Sequence, residues 1–230
     1  GYTILQTALP EAMVSMDANE DYISACPKTE TYSAIAMGPG IGTDKATEQS
    51  LKVLIQQCTV PLVLDADAIT ILAQNKTWLS FVPTNTILTP HPKEFDRLCG
   101  AHTSNFDRLE TCKDFAFKHK IIVVLKGAHT AVLTPDKKVF FNSTGNPALA
   151  KGGSGDVLTG IILGLLSHGY EPAQACMIAT HMHGLAAEHE DRLRTEKRTG
   201  GTVRMCELRA LHTTNPRRKS RNRRARASGG

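Results

Sequence analysis

The stretch Gly145–Gly169, GNPALAKGGSGDVLTGIILGLLSHG, places a glycine-rich loop directly before a carboxylate and an apolar helix. Apolar residues recur at spacings of three and four from Val157 to Leu166, which is the pattern of one packed helix face. Gly169 predicts the end of that helix. The helix is therefore expected to begin near Gly155, with its unpaired N–H groups and the positive end of its dipole directed into the loop.

The glycine loop is predicted to hold an anion, namely phosphate. Gly152, Gly153, Ser154 and Gly155 carry little or no side chain that would keep a phosphate away from the backbone N–H groups. Asp156 follows directly and has two interpretations. It is either a first-turn acid that complements the helix dipole, or a working carboxylate that accepts a proton from a group beside the phosphate.

Composition excludes several classes of protein. The chain has 230 residues and is 41% hydrophobic, which suits one substantial α/β domain, and no apolar run approaches the length of a membrane span. The first residues lack a basic region followed by an apolar block, so no secretory signal is expected. Six scattered cysteines without a C-x-x-C pair predict reduced thiols in a cytoplasmic protein rather than a disulfide frame or metal site.

Charge is divided unevenly along the chain. Residues 189–230 carry 13 basic and 4 acidic side chains, whereas residues 1–188 have a net charge of −4. We predict one domain over residues 1–188, ending in a helix from Pro172 to Glu188, and a tail over residues 189–230 that is disordered or translated from a non-native reading frame. Nucleic-acid binding by the tail is an alternative, but the tail has no aromatic residue for base stacking.

Strands alternate with helices in the predicted domain, which indicates a mostly parallel sheet covered on both faces. Ligands of such sheets bind outside the carboxyl ends of the strands. The segments expected at that edge are Gly38–Gly42, Asp65 with Asp67, Thr89–Pro92, Lys126–Gly127 and the glycine loop. Asp65 and Asp67 are expected at the end of one strand, and at most one of them is expected to face a ligand directly.

Each segment also has a plainer interpretation. Gly38–Gly42 is a tight turn before it is a ligand loop, and it matches neither G-x-x-x-x-G-K-[ST] nor G-x-G-x-x-G. His91 between two prolines is either a surface residue or a positioned side chain, and Lys126 is either solvated or a ligand group. His181 and His183, two apart on a helix, do not share a face and are interpreted as structural rather than as a metal pair.

Five motifs in one order carry a family resemblance. The chain resembles the ADP/ATP-dependent NAD(P)H-hydrate dehydratases, the carboxyl-terminal half of the bacterial bifunctional nicotinamide nucleotide repair enzymes. The resemblance covers residues 1–188 and implies a three-layer α/β/α ribokinase-like fold. The motifs are GPGIG (38–42), VLDADA (63–68), LTPHPKEF (88–95), VLKGAHT (124–130) and GGSGDVLTG (152–160).

The resemblance implies an activity and a set of site residues. The family removes water from hydrated NADH or NADPH at the expense of ADP in bacteria and ATP in eukaryotes, with Mg²⁺ implied by the nucleotide. Asp156 would be the general base, and Gly40, His91 and Asp156 would hold the hydrated dinucleotide. The residues implied to hold the nucleotide are Lys126, Gly127, Ala128, His129, Thr130, Gly152, Gly153, Ser154 and Gly155.

The resemblance leaves alternatives open. Family members usually open with a further strand–helix–strand unit, which this chain is expected to lack, so a catalytically dead fragment is one possibility. A vitamin-precursor kinase of the same fold is another, although TPHPKEF and LKGAHT favour the dehydratase. A homo-oligomer, a tetramer by resemblance, is also implied.

Overall fold

The structure is a computed structural model, and it describes residues 2–26 and 28–198. The expectation for residues 199–230 of the tail lies outside the described residues. The chain divides into two units, Gly1–His189 and Glu190–Gly230, and the sheet described below lies in the first.

Six strands form one sheet whose spatial order is the order of the chain. The first four are parallel, and the last two turn back as an antiparallel hairpin at Pro135–Asp136. The central strands are fully buried, which explains their unbroken apolar sequences. The mostly parallel sheet is thereby confirmed. The strands are β1 (Ile35–Met37), β2 (Leu62–Leu64), β3 (Ile87–Leu88), β4 (Ile122–Leu125), β5 (Ala131–Leu133) and β6 (Val139–Phe141).

The helices of the described residues are α1 (Tyr2–Ala8), α2 (Lys45–Gln57), α3 (Ala66–Gln74), α4 (Pro92–Cys99), α5 (Asn105–His119), α6 (Ser154–Ser167) and α7 (Pro172–Arg198). The predicted end of the last helix at Glu188 is wrong, because α7 continues to Arg198. Good helix formers such as Arg and Glu extend a helix beyond its buried face. Within residues 2–26 and 28–198, no helix has both the length and the hydropathy needed to cross a membrane.

Two separate apolar cores lie on opposite faces of the sheet. One core joins Leu64 and its neighbours to α2, α3, α4 and α5, through residues such as Leu54 and Phe95. The other joins Val63 and its neighbours to α6 and α7, through residues such as Ile162. Since each core holds one helical layer against the sheet, the three-layer α/β/α arrangement is confirmed.

The segment before the glycine loop is fastened along α7. The side chains of Asn142, Thr144 and Asn146 donate hydrogen bonds to backbone carbonyls of α7 at 2.9–3.1 Å. The N–H of Gly145 donates to the carboxylate of Glu188 at 2.7 Å. These contacts set the position from which the chain enters the glycine loop.

Gly184 of α7 permits this close approach, since an added Cβ would lie 2.2 Å from Oγ1 and 2.7 Å from the carbonyl carbon of Thr144. We expect Gly184→Ala to lower the free energy of unfolding by about 2 kcal/mol or more. The matched control is Gly164→Ala on α6, where an added Cβ meets nothing within 4 Å; it should be neutral or stabilising by up to about 1 kcal/mol. Urea unfolding measures both, and equal effects would contradict the close approach.

Candidate active site

Three polar side chains follow the buried strands on one face of the sheet. Alternation along each strand directs one residue per strand toward the α6–α7 layer, namely Val63, Ile87 and Val124. The residues two positions further along are Asp65, Thr89 and Lys126. All three therefore lie at the carboxyl ends of β2, β3 and β4, on the face of the sheet that α6 and α7 cover.

The Asp65 carboxylate is the centre of this group and is only 1% exposed. Its Oδ1 accepts from Lys126 Nζ at 3.0 Å and from the N–H of Ala66 at 2.9 Å. Its Oδ2 accepts from Thr159 Oγ1 of α6 at 2.7 Å. A buried carboxylate requires such partners, and here they tie together β2, β4, α3 and α6.

Two glycine segments converge on the Asp65–Lys126 pair. Gly38 has φ +145°, and a Cβ there would lie 1.8 Å from the carbonyl oxygen of Asp65. The turn after β1 can therefore pack against Asp65 only with glycine at this position. A Cβ on Gly155 would lie 3.2 Å from Lys126 Nζ, so the first turn of α6 lies against the ammonium group.

Asp67 does not lie on the predicted strand with Asp65. The extended backbone ends at Asp65, which caps α3, and Asp67 belongs to the first turn of that helix. Its Oδ2 accepts from the N–H of Gly42 at 2.9 Å and fastens the turn after β1. The prediction assumed a strand through both residues, and the side-chain cap of α3 explains why the strand ends earlier.

His91 is positioned by a capping box at the start of α4. Its Nδ1 accepts from the N–H groups of Lys93 and Glu94 at 3.1 and 3.2 Å, and Glu94 Oε2 accepts from the N–H of His91 at 2.8 Å. In a neutral ring the proton therefore resides on Nε2. The ring is 45% exposed, and its Nε2 lies 3.5 Å from Oε1 of Glu94, which is long for a hydrogen bond, so a ligand can still bind this N–H. The H-P-K-E spacing of residues 91–94 is the sequence signal for this capping box.

The amino-terminal turn of α6 is open. Gly153 is its N-cap, with φ +83°, and no side chain caps the helix. Asp156 is exposed, and its carboxylate forms no hydrogen bond or ion pair with the part of the chain that the structure describes. Ser154 Oγ lies 3.4 Å from Nε2 of His183, and burial lowers the pKa of His183, so the neutral ring can accept a hydrogen bond from the hydroxyl.

The remaining candidate residues lie on neighbouring turns. Gly127, Ala128 and His129 are exposed in the connection from β4 to β5, and Thr130 Oγ1 donates to the carbonyl of Gly127 at 3.4 Å. Gly40 is exposed in the turn after β1. The structure thus brings Lys126, Gly155 and Asp156 together, and it leaves His91 on the adjoining α4 cap.

Two buried threonines lie at this edge, and one of them, Thr159, was not predicted there. Thr159 lies within the apolar sequence of α6, where a single hydroxyl at a buried position was the available signal. Thr89 is fully buried, and its Oγ1 has no hydrogen-bond partner among the described residues. A buried hydroxyl without a partner is uncommon.

Two cavities of the described residues lie away from this edge. A cavity of about 300 Å³ adjoins the β5–β6 turn and the start of α7, and a second of about 240 Å³ lies beside β6. The first is at the amino end of the parallel strands, opposite the edge where ligands of such sheets bind. Of the two acidic residues that line it, Asp136 and Glu171, the first is paired with Lys138 at 2.7 Å. We therefore assign the candidate site to the open edge around Asp65.

The described residues do not form a metal cage. No group of three or more His, Cys, Asp or Glu side chains in residues 2–26 and 28–198 is arranged to hold an ion. Asp65 and Glu94, the buried carboxylates nearest the edge, are committed to Lys126 with Thr159 and to the α4 cap. A Mg²⁺ ion at this edge would therefore depend on oxygen ligands brought by a substrate.

Comparison with known proteins gives one consistent family. Residues 2–208 match the family model described as NAD(P)H-hydrate dehydratase. The chain is 37% identical over 196 residues to the bifunctional NAD(P)H-hydrate repair enzyme Nnr of Moorella thermoacetica, covering 84% of this chain and 37% of that protein. It is 37% identical over 208 residues to the ADP-dependent (S)-NAD(P)H-hydrate dehydratase of Bacillus subtilis, covering 89% of this chain and 71% of that protein.

Solved structures agree with the fold. The ADP/ATP-dependent NAD(P)H-hydrate dehydratase of B. subtilis, co-crystallised with ATP/Mg²⁺, matches with a TM-score of 0.69 at 34% identity, over 88% of this chain and 72% of that chain. A ribokinase-like superfamily protein of Enterococcus faecalis matches with a TM-score of 0.62 at 29% identity, over 76% of this chain and 60% of that chain. The predicted ribokinase-like fold is confirmed.

The two buried threonines of this edge provide a matched pair of substitutions. Thr159→Val removes a hydrogen bond to a buried carboxylate and should lower the free energy of unfolding by about 1–3 kcal/mol. Thr89→Val removes a hydroxyl that has no partner among the described residues and should be neutral or slightly stabilising. Urea unfolding compares the two, and a larger loss for Thr89→Val would show that its hydroxyl has a partner.

Proposed function

The chain belongs to the NAD(P)H-hydrate dehydratase family, and on that premise we propose that it removes water from hydrated NADH or NADPH at the expense of ADP or ATP. The observation that carries the proposal is the combination found at one edge of the sheet. An ammonium group, an uncapped helix amino terminus and an exposed carboxylate lie together there, on Lys126, α6 and Asp156.

A phosphate group suits the space between Lys126 and the first turn of α6. The N–H groups at the start of α6 have no side-chain cap, and the positive end of the helix dipole favours an anion. The Lys126 ammonium, beside Gly155, adds a full positive charge. We propose that the phosphoryl group to be transferred binds here. The nucleotide would lie along Gly127, Ala128, His129 and Thr130, and its phosphates would lie against Gly152, Gly153 and Ser154.

Asp156 is proposed as the general base. A hydroxyl is a poor leaving group, and phosphorylation converts it into a good one. The substrate O–H bond breaks with its proton passing to Asp156, the oxygen bonds to the terminal phosphorus, and the bond from that phosphorus to the nucleotide breaks. Loss of phosphate and of a proton from the adjacent carbon then forms the double bond of the restored cofactor. Charge on the phosphoryl group is stabilised by α6 and Lys126.

His91 and Gly40 are proposed to hold the hydrated dinucleotide. The capping box fixes the His91 ring, which is 45% exposed and has its Nε2 at 3.5 Å from Oε1 of Glu94. A hydrogen bond from the Nε2–H to an oxygen of the dinucleotide would orient it beside Asp156. Gly40, exposed after β1, lets the substrate approach the backbone without a side chain in between.

The finer features of the proposal come from the family resemblance and general chemistry. Mg²⁺ would enter with the nucleotide phosphates, since the described residues form no cage for it. A cytoplasmic location suits buried thiols such as Cys112, whose pKa burial raises. A homo-oligomer, a tetramer by resemblance, is part of the same proposal.

The proposal is tested with the purified chain on two sets of substrates. Turnover of hydrated NADH with ADP or ATP supports the dehydratase. Turnover of a hydroxymethylpyrimidine or thiazole alcohol with ATP, without turnover of hydrated NADH, would instead identify a vitamin-precursor kinase. Absence of both reactions, in a chain that is folded by circular dichroism, would contradict an active enzyme.

Asp156→Asn tests the general base directly. It should lower kcat by about 10² to 10⁴, because a positioned proton acceptor is lost, while nucleotide affinity changes little. The matched control is Glu48→Gln, which removes the first-turn acid of α2. If Asp156 only complements a helix dipole, the two variants should retain equal activity and each lose a few tenths of a kcal/mol of stability.

Gly155→Ala tests the place of the phosphate. Its Cβ would press on Lys126 Nζ at 3.2 Å, the far end of a flexible side chain, and would occupy the space between ammonium and helix. We expect ADP or ATP to bind about tenfold or more weakly, with stability unchanged or raised by up to about 1 kcal/mol. The control Gly160→Ala meets nothing within 4 Å and should raise stability without altering affinity. Equal affinities for the two variants would place the phosphate elsewhere.

A further inference from the structure

We infer that Asp65 is a positioning residue for the transferred phosphate, because its carboxylate holds the Lys126 ammonium against the first turn of α6. The inference rests on the proposed function, since it assigns Asp65 a role in the same nucleotide site. It concerns a residue that acts through Lys126 and does not itself touch the nucleotide.

Burial makes the Asp65–Lys126 pair a fixed one. The Asp65 side chain is 1% exposed, and Lys126 supplies its only cation among the described residues. Removal of Lys126 from this carboxylate would leave a negative charge buried without a counter-charge, which is strongly unfavourable. The ammonium therefore stays at Asp65 when the site is empty and when it is filled.

The same pair leaves Lys126 free to bind an anion. An ammonium has three N–H donors, and one is used at 3.0 Å by Asp65. The Lys126 side chain is 22% exposed, so the end of the chain is open to the edge of the sheet. A lysine held in this way loses less side-chain freedom on binding phosphate than a solvated lysine does, and this pre-organisation favours affinity.

Asp65 also sets the position of the helix that shares the phosphate. Its second oxygen accepts from Thr159, which lies in the second turn of α6. One carboxylate thereby fixes both positive features of the site, the ammonium through Oδ1 and the helix amino terminus through Oδ2. The distance between them is consequently set by the two oxygens of a single rigid group.

A double-mutant cycle separates this role from a purely structural one. The four proteins are the parent, Asp65→Asn, Lys126→Met and the double variant, and the dissociation constants for ADP and ATP are measured by titration calorimetry. Asn keeps the size of the side chain and one acceptor oxygen for the N–H of Ala66, it places an amide N–H₂ group opposite the Thr159 hydroxyl, and it removes the charge that holds Lys126. Thermal unfolding checks that each protein is folded.

We expect Asp65→Asn and Lys126→Met each to weaken nucleotide binding by about tenfold or more, as loss of a charge-assisted contact does. The double variant should bind no more weakly than Lys126→Met alone, because Asp65 then has no ammonium group to position. In turnover with hydrated NADH, Asp65→Asn should raise the nucleotide KM more than it lowers kcat. Additive effects on the dissociation constants would overturn the inference, because a structural role weakens binding equally in both backgrounds.

Asp96→Asn is the matched control. Asp96 forms an ion pair with Arg108, at 2.7 Å from Oδ1 to Nε, between α4 and α5. Its loss removes a comparable carboxylate from the same layered fold and should leave nucleotide affinity within about twofold of the parent. Weakening equal to that of Asp65→Asn would mean that the effect is general, and would overturn the inference.

A second variant covers the case in which Asp65→Asn does not fold. Asp65→Glu keeps the negative charge and displaces it by one methylene, so the same cycle with Lys126→Met applies. Additivity in that cycle overturns the inference just as it does for Asn. A folded parent that binds neither ADP nor ATP would overturn the proposed nucleotide site, and this inference with it, whereas additivity with a binding parent overturns only the inference.

Discussion

The buried Asp65 carboxylate is the constraint on which the edge of the sheet depends. It lies at the end of β2, caps α3, and accepts from Lys126 at the end of β4 and from Thr159 of α6. An ionised group this deep requires compensation from every side. One side chain therefore fixes the carboxyl ends of β2 and β4 relative to the amino-terminal turns of α3 and α6. The turn after β1 packs over this side chain at Gly38.

Hydrogen bonds to α7 hold the glycine loop in position. The segment that precedes the loop is bonded to α7 through Asn142, Thr144 and Asn146, and Ser154 at its end lies near His183. Both ends of the loop are thus anchored to one helix. The open amino terminus of α6 is consequently held in place without a side-chain cap, which leaves its N–H groups available to a phosphate.

The two candidate groups for proton transfer and substrate binding are held in opposite ways. His91 is fixed by its bonds to the start of α4, as suits a residue that orients a substrate. Asp156 is exposed and makes no bond to the described residues, so its lone pairs are available to a substrate hydroxyl. The division between a fixed orienting group and a free base is what the proposed reaction requires.

The sequence by itself determined the layered α/β fold, the edge that carries the site and most of the candidate residues. These follow from local patterns, such as buried apolar strands and glycines before a helix, whose periodicity is set by backbone geometry. Only the tertiary structure decided which polar groups meet. The Asp65–Thr159 bond joins residues 94 positions apart, and the cap that places Asp67 in α3 depends on where the strand ends. Such contacts depend on the packing of separate elements, because a pattern within one element carries no information about the distance to another.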